Sequence, residues 1–211
     1  MTVTKLEAPA LPSWIDLGVP FERYRVDLGA WRMHVMEHGD GPTVLMLHGN
    51  PTWGYLWRRV VAALGASYRV VVPDLIGLGL SDKPHTSCSH TLEAHIGWVG
   101  ALVDRLDLRD ITFVGQDWGG PIGLGALAAR PERVHGLVLA NTVFAPPREG
   151  FKATTFHRFA RMPVVSDVVF RGIGFPQIDL GLVQGDPKSI RGEVGRAYRW
   201  PLRQLRDRKA P

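Results

Sequence analysis

Short apolar runs alternate along the first two thirds of the chain with longer stretches in which apolar residues recur at helical spacing. The clearest short run, Thr43–Leu47, ends at His48 and Gly49, and this pattern predicts a buried strand. Strands are predicted at 24–28, 31–37, 43–47, 68–72, 111–114 and 134–140, and helices at 56–64, 91–106 and from about 119 to 129. This alternation predicts an α/β fold with a mainly parallel sheet.

The character of the sequence changes after Asn141. Pro146 and Pro147 mark a boundary, and the residues beyond them are rich in Phe, Arg and Gly without another apolar run typical of a buried strand. We therefore predict a core at 1–143 and a helical region at 144–211, with helical segments near 151–161, 164–171 and 188–208.

Composition limits the classes of protein that need to be considered. The chain has 211 residues, of which 45% are hydrophobic and 21% charged, so it can bury a core. A single cysteine, Cys88, excludes a disulfide framework and a multi-cysteine metal site. No signal peptide and no long apolar span is evident in these residues, which predicts a cytoplasmic protein without a membrane partner.

The formal charge of +5 is unevenly distributed. Residues 1–187 carry 17 basic and 18 acidic side chains, whereas residues 188–211 carry eight basic and two acidic ones. The spacing of Arg199, Arg203 and Arg206 predicts the solvated side of an amphipathic helix, with Leu202 and Leu205 facing inward. We therefore do not predict a nucleic-acid partner.

A nucleophile candidate lies between a predicted strand and a predicted helix, in the sequence Gly-Gln-Asp-Trp-Gly at 115–119. This is the pattern of a nucleophile elbow, in which small neighbours allow a sharp turn and the central residue is lifted out of the sheet. Asp117 takes the central position, and a carboxylate there can attack an electrophilic carbon to form an ester. The alternative is that Asp117 only caps the helix.

A second motif, His-Gly-Asn-Pro-Thr-Trp at 48–53, follows the third predicted strand. Ligands of open α/β sheets bind beyond the carboxyl ends of the strands, so this loop and the elbow are expected to meet. The side chains of Asn50 and Trp118 both offer N–H donors, which suit a departing halide. Alternatively, Asn50 is a turn residue before Pro51 and Trp118 is a core aromatic; the joint occurrence of the two donors favours function.

These two motifs together resemble those of haloalkane dehalogenases, which have the α/β-hydrolase fold with a helical cap inserted after the sixth strand. Gly-Leu-Gly-Leu-Ser-Asp-Lys-Pro at 77–84 and Tyr-Arg-Trp-Pro at 198–201 add to the likeness. The resemblance implies hydrolysis of haloalkanes to alcohol and halide through an ester on Asp117. Asn50 and Trp118 would bind the halide with their side chains and form the oxyanion hole with their backbone N–H groups. It implies no cofactor and no metal.

The sequence departs from the family in its later catalytic residues. The resemblance implies a histidine base far downstream, but only His135 and His157 follow Asp117, and neither matches the base by position. Asn141 and Thr142 stand where some members have the acid. We therefore expect that the base, the acid and the last core strands are not present in this chain. An open apolar edge beside 134–140 is then expected, and with it self-association.

Other predictions concern the pocket and the competing functions. Phenylalanines are candidates for the pocket lining: Phe144, Phe151 and Phe175. An epoxide hydrolase is the closest alternative, but it would use phenols from the cap, and 144–211 contains only Tyr198. A fragment without turnover is the other alternative. The five-residue spacing of the histidines at 85, 90 and 95 disfavours a metal site on one helix face.

Overall fold

The computed structural model of the protein describes residues 4–86, 89–145 and 185–208, together with the single positions 162, 168, 172 and 174. Cys88 and nearly all of the predicted segments 151–161 and 164–171 lie outside the described residues. Within the described ranges the chain forms one sheet with apolar clusters on both faces.

Seven strands of the described residues make up this sheet. They are β1 (Lys5–Glu7), β2 (Glu22–Asp27), β3 (Arg32–His38), β4 (Thr43–Leu47), β5 (Arg69–Pro73), β6 (Ile111–Gln116) and β7 (Val134–Ala140). Their order across the sheet is β1-β2-β3-β5-β4-β6-β7. The pairs β1–β2, β2–β3 and β3–β5 are antiparallel, whereas β5, β4, β6 and β7 run parallel. The six predicted strands and the α/β architecture with a mostly parallel mixed sheet are thus confirmed, with the short β1 added.

Helices connect the parallel strands. Among the described residues the α-helices are α1 (Arg58–Leu64), α2 (Leu92–Arg105), α3 (Gly119–Ala128) and α4 (Gly192–Arg199), and a 3₁₀ turn, Gly54–Trp57, precedes α1. The start of α2 is set by Thr91, whose hydroxyl accepts a hydrogen bond from the N–H of Ala94 at 3.1 Å, as an N-cap does. No helix of the described ranges is long and apolar enough to cross a membrane.

The central strand β4 shows how the core is divided. All five of its residues are buried, as expected of a parallel strand covered on both faces. Leu45 and Leu47 pack with the apolar sides of α2 and α3, whereas Val44 and Met46 pack on the opposite face with Val61 of α1. The carboxyl ends of the parallel strands are thereby held at one edge of a rigid sheet.

Residues 185–208 pack against this core. Tyr198 joins the cluster beneath α1 and Leu202 joins the one beneath α2 and α3, while the arginines at 199, 203 and 206 are exposed, as predicted. Leu205 was expected to face inward, but it is exposed. The prediction was wrong because the helix ends at Arg199 and continues only as separate 3₁₀ turns, which breaks the spacing. The division at residue 143 stays a prediction.

The far edge of the sheet is apolar and open within the described residues. β7 pairs with β6 alone among the described strands, and Leu137, Val138 and Leu139 are between 37% and 52% exposed. Because consecutive strand residues point to opposite faces, both faces of β7 carry partly exposed apolar side chains. The exposure of these residues is in line with the predicted open edge, and the self-association expected from it stays a prediction.

Candidate active site

Asp117 occupies the turn between β6 and α3 in a left-handed conformation, with φ of 51°. Non-glycine residues adopt this conformation rarely, and the surrounding contacts must hold it in place. Its N–H donates to the carbonyl of Asn141 at 3.1 Å, and its own carbonyl accepts from the hydroxyl of Thr142 at 2.6 Å. The backbone is thus fixed on both sides, and the predicted elbow is present.

Two glycines allow the chain to pass close to this turn. A Cβ at Gly119 would collide with the carbonyl oxygens of Leu47 and His48, and a Cβ at Gly49 would collide with the side chain of Asp117. The glycines of both motifs therefore serve the same close approach, in which the loop after β4 lies directly against the carboxylate.

The structure brings the three predicted site residues together. The backbone N–H of Asn50 donates to Oδ1 of Asp117 at 2.9 Å. Asn50 and Trp118 line one cavity of about 240 Å³, whose apolar wall includes Leu75, Leu78 and Ile122. Trp118, which is 51% exposed, also lines a second cavity with Asp117. Asn50, Asp117 and Trp118 therefore lie close together at the carboxyl ends of β4 and β6.

Sequence reasoning missed two histidines in the wall of the cavity that Asn50 and Trp118 line. His90 and His95 both line it, with Nδ1 of His90 and Nε2 of His95 3.4 Å apart and the rings stacked. Their five-residue spacing was judged on a single helix, but Thr91 caps α2, so His90 precedes the helix and folds back beside His95. Burial, with the neighbouring His90 and His48, lowers the pKa of His95 to about 4.

This pKa predicts a pH-dependent stability. An unfolded histidine titrates near 6.5, so acidification from pH 6.5 towards 4 protonates His95 in the unfolded chain first and favours unfolding, by up to about 3 kcal/mol. We expect His95→Gln to flatten the dependence of the unfolding free energy on pH in this window, measured by urea denaturation. His85→Gln, the same change at an exposed residue, is the control. If the unfolding free energy of His95→Gln depended on pH as steeply as that of the unaltered protein, the lowered pKa assigned to His95 would be contradicted.

A buried polar network supports the loop after β4 and was also missed. Oδ1 of Asp74 accepts from the N–H of Gly54 at 2.7 Å, and Oδ2 accepts from the N–H of Leu80 at 2.7 Å and from Nδ1 of His34 at 2.9 Å. Burial pushes the pKa of Asp74 upward, but the hydrogen bond and charge of His34, together with His48 and Leu80, outweigh it and hold this pKa below its usual value. An acidic residue directly after the apolar strand β5 was the available signal.

The remaining predicted residues lie elsewhere. Phe144 is 77% exposed and lies one position beyond Val143, the last residue lining the cavity at Asp117. Phe151, Phe175 and His157 lie outside the described residues. His135 stands at the start of β7, the end of the strand remote from Asp117, with its Nδ1 3.2 Å from Oδ1 of Asp110. Within the described ranges, no group of three or more potential metal ligands forms a site.

Comparisons with known proteins agree with this geometry. The chain is 38% identical to haloalkane dehalogenase 2 of Mycobacterium tuberculosis over 152 residues, which are 72% of this chain and 52% of the relative. It is 42% identical to a cis-3-alkyl-4-alkyloxetan-2-one decarboxylase of Shewanella oneidensis over 130 residues, 61% of this chain and 41% of that protein. The crystal structure of haloalkane dehalogenase DatA from Agrobacterium tumefaciens superimposes with a TM-score of 0.79 at 30% identity, covering 92% of this chain and 67% of that one.

The chain spans about half the length of the curated relatives that it matches, and its resemblance to haloalkane dehalogenases is confirmed. The α/β hydrolase fold family matches residues 42–209, a range that includes both the loop after β4 and the elbow. The chain therefore belongs to the α/β-hydrolase fold family.

Proposed function

We propose that the site displaces halide from haloalkanes, with Asp117 as the nucleophile. The observation that carries this proposal is the 2.9 Å hydrogen bond from the N–H of Asn50 to Oδ1 of Asp117. It distinguishes the two carboxylate oxygens, because the amide holds Oδ1 and leaves Oδ2 as the attacking atom. Similarity to haloalkane dehalogenases supports the choice of substrate.

In the first step, an electron pair of Oδ2 forms a C–O bond to the carbon that bears the halogen. The C–X bond breaks, and the halide leaves with its electron pair. Asn50 and Trp118 line the adjacent cavity, and in this proposal their side-chain N–H groups then bind the halide. Those donors suit an anion that needs no proton, and an apolar wall strengthens their effect.

In the second step, water attacks the ester carbonyl. The ester C–O bond at this carbonyl then breaks, the alkyl group leaves as the alcohol, and Asp117 regains its carboxylate. Oδ1 becomes the carbonyl oxygen of the ester, and the N–H of Asn50 stabilises the negative charge that develops on it. Water attack also needs a base. His48 is close to this loop, but its Nε2 accepts from the N–H of Leu75 at 3.0 Å and its Nδ1 lies 2.9 Å from the carbonyl of Gly49. Neither nitrogen is placed to take a proton from water.

The proposal assigns no histidine as the base, and it predicts a reaction that stops at the ester. We expect incubation with 1-bromobutane to add one butyl group to the protein and to release about one equivalent of bromide. Intact mass, bromide measurement and peptide mapping check the adduct and its position on Asp117. Continuous bromide release would show that a base operates in this chain. A folded protein that forms no adduct would contradict the proposed function and favour the inactive fragment.

An epoxide hydrolase is less well supported by the cap residues. Tyr198, the only tyrosine at 144–211, is buried in the cluster beneath α1, where its ring meets Tyr55 edge to face. Burial raises the pKa of Tyr198, which is the opposite of what an acid that protonates an epoxide oxygen requires. Parallel incubations with 1,2-epoxybutane and with a 3,4-dialkyloxetan-2-one test whether Asp117 prefers another electrophile.

A further inference from the structure

The peptide group between Gly49 and Asn50 makes hydrogen bonds at both of its ends. Its N–H is the donor to Oδ1 of Asp117 at 2.9 Å. Its carbonyl oxygen lies 2.9 Å from the hydroxyl of Thr52, 3.0 Å from the N–H of Thr52 and 2.9 Å from Nδ1 of His48. A trans peptide is planar, with its C=O and N–H pointing in opposite directions. Donors that fix the carbonyl therefore also fix the direction of the N–H.

The proton on His48 is assigned by its partners. The backbone N–H of Leu75 donates to Nε2 at 3.0 Å, so Nε2 is an acceptor and the neutral ring carries its proton on Nδ1. Nδ1 then donates to the carbonyl of Gly49. The ring is completely buried, and this burial lowers the pKa of His48 and keeps the ring neutral. The carbonyl is thus tied through His48 to the loop that follows β5.

Thr52 supplies the other two donors to the carbonyl of Gly49. A carbonyl oxygen that accepts several hydrogen bonds is polarised, and polarisation strengthens the N–H of the same peptide as a donor. The hydroxyl of Thr52 is half-buried. If it is removed, the backbone N–H of Thr52 still donates to the carbonyl of Gly49. This hydroxyl can therefore be deleted without leaving the carbonyl of Gly49 unpaired.

We propose that Thr52 and His48 are positioning residues, which hold the Gly49–Asn50 peptide so that its N–H remains on Oδ1 of Asp117 and leaves Oδ2 free to attack. Neither side chain touches the substrate in this role. The inference rests on the proposed function in so far as it concerns the attack. Its structural part, the control of the Asn50 amide by Thr52, stands independently of any reaction.

The first test uses the whole chain without a haloalkane. In Thr52→Val we expect the amide proton of Asn50 to move upfield in its NMR spectrum and to exchange with solvent about five- to tenfold faster, because one hydrogen bond behind it is lost. Thr52→Ser is expected to restore both values. The matched control is Thr112→Val, the same change at the end of β6 remote from Asp117. Thr52→Ala is a second variant without the hydroxyl.

The second test measures alkylation by 1-bromobutane. We expect Thr52→Val to lower the rate constant at saturating haloalkane about five- to tenfold, with the half-saturating concentration within about twofold of the original value and recovery in Thr52→Ser. An unchanged Asn50 amide in both hydroxyl-free variants would overturn the inference, as would a slow Thr52→Ser. If the unaltered protein forms no adduct, the proposed function fails, while the amide measurement still decides whether Thr52 positions the peptide.

Discussion

Asp117→Asn is expected to abolish formation of the butyl adduct and release of bromide from 1-bromobutane. An amide oxygen carries no full negative charge and is a far weaker nucleophile than a carboxylate. The asparagine side chain therefore offers no comparable electron pair to form the C–O bond to the haloalkane carbon. The change is nearly isosteric, and the N–H of Asn50 still has an oxygen to bond. We therefore expect the fold to survive and the adduct to fall to the level of protein-free buffer, measured by intact mass and free bromide.

The matched control for this change is Asp110→Asn. Asp110 has φ of 50°, against 51° for Asp117, so the same substitution is made in the same unusual backbone conformation. Asp110 lies just before β6 and Asp117 just after it, which places the control at the other end of the strand. We expect Asp110→Asn to alkylate at the original rate. An adduct that persisted in Asp117→Asn would refute the nucleophile assignment, whatever residue then carried it.

The sequence was sufficient to predict the elements that pattern alone specifies. Val44–Leu47 is apolar at every position, which predicts a strand buried on both faces of a sheet, and the strand is buried throughout. Asp117 and Gly119 predicted the elbow. An acidic residue flanked by small residues, between a strand and a helix, is a pattern that few other local structures require. β1 was not predicted, because its three residues, Lys-Leu-Glu, show no apolar pattern and its strand conformation depends on pairing with β2.

What pattern did not predict is the set of contacts between residues distant in the chain. His34 and Asp74 are 40 positions apart and meet only because β3 lies beside β5. In the sequence, His34 is a polar residue within an apolar run and Asp74 is one just after another run, and nothing local indicates the partner. The same applies to Thr52, whose hydroxyl acquires its role only when Asn50 is brought against Asp117.

Helical spacing alone did not indicate that the histidines at 90 and 95 lie side by side. Five residues on one helix separate two side chains by about 140° around the axis, which disfavours contact. The actual start of α2 at Leu92 leaves His90 outside the helix and removes that restriction. The capping residue Thr91 was the local signal, since Thr at an N-cap with Glu93 in the first turn indicates where a helix begins.

Asp74→Asn is expected to destabilise the protein by about 3–5 kcal/mol, the largest stability change predicted for a single side chain here. The carboxylate accepts from Gly54, Leu80 and His34. An asparagine keeps one acceptor oxygen and places an NH₂ group against the remaining donors, so at least one buried donor loses its partner. Because Gly54 and Leu80 belong to the loops after β4 and β5, the loss loosens the support of the Asn50 loop as well.

Denaturant unfolding of Asp74→Asn and of Asp104→Asn separates this effect from the general cost of removing a charge. Asp104 forms a surface ion pair with Arg130, and such pairs contribute less than about 1 kcal/mol. The pKa of Asp74 is held below its usual value, so its share of the stability is present above the pKa of an unfolded aspartate and is lost as the pH falls. We therefore expect the difference in unfolding free energy between the unaltered protein and Asp74→Asn to narrow on acidification. Equal denaturation midpoints of the two proteins at neutral pH would show that the network contributes nothing to stability.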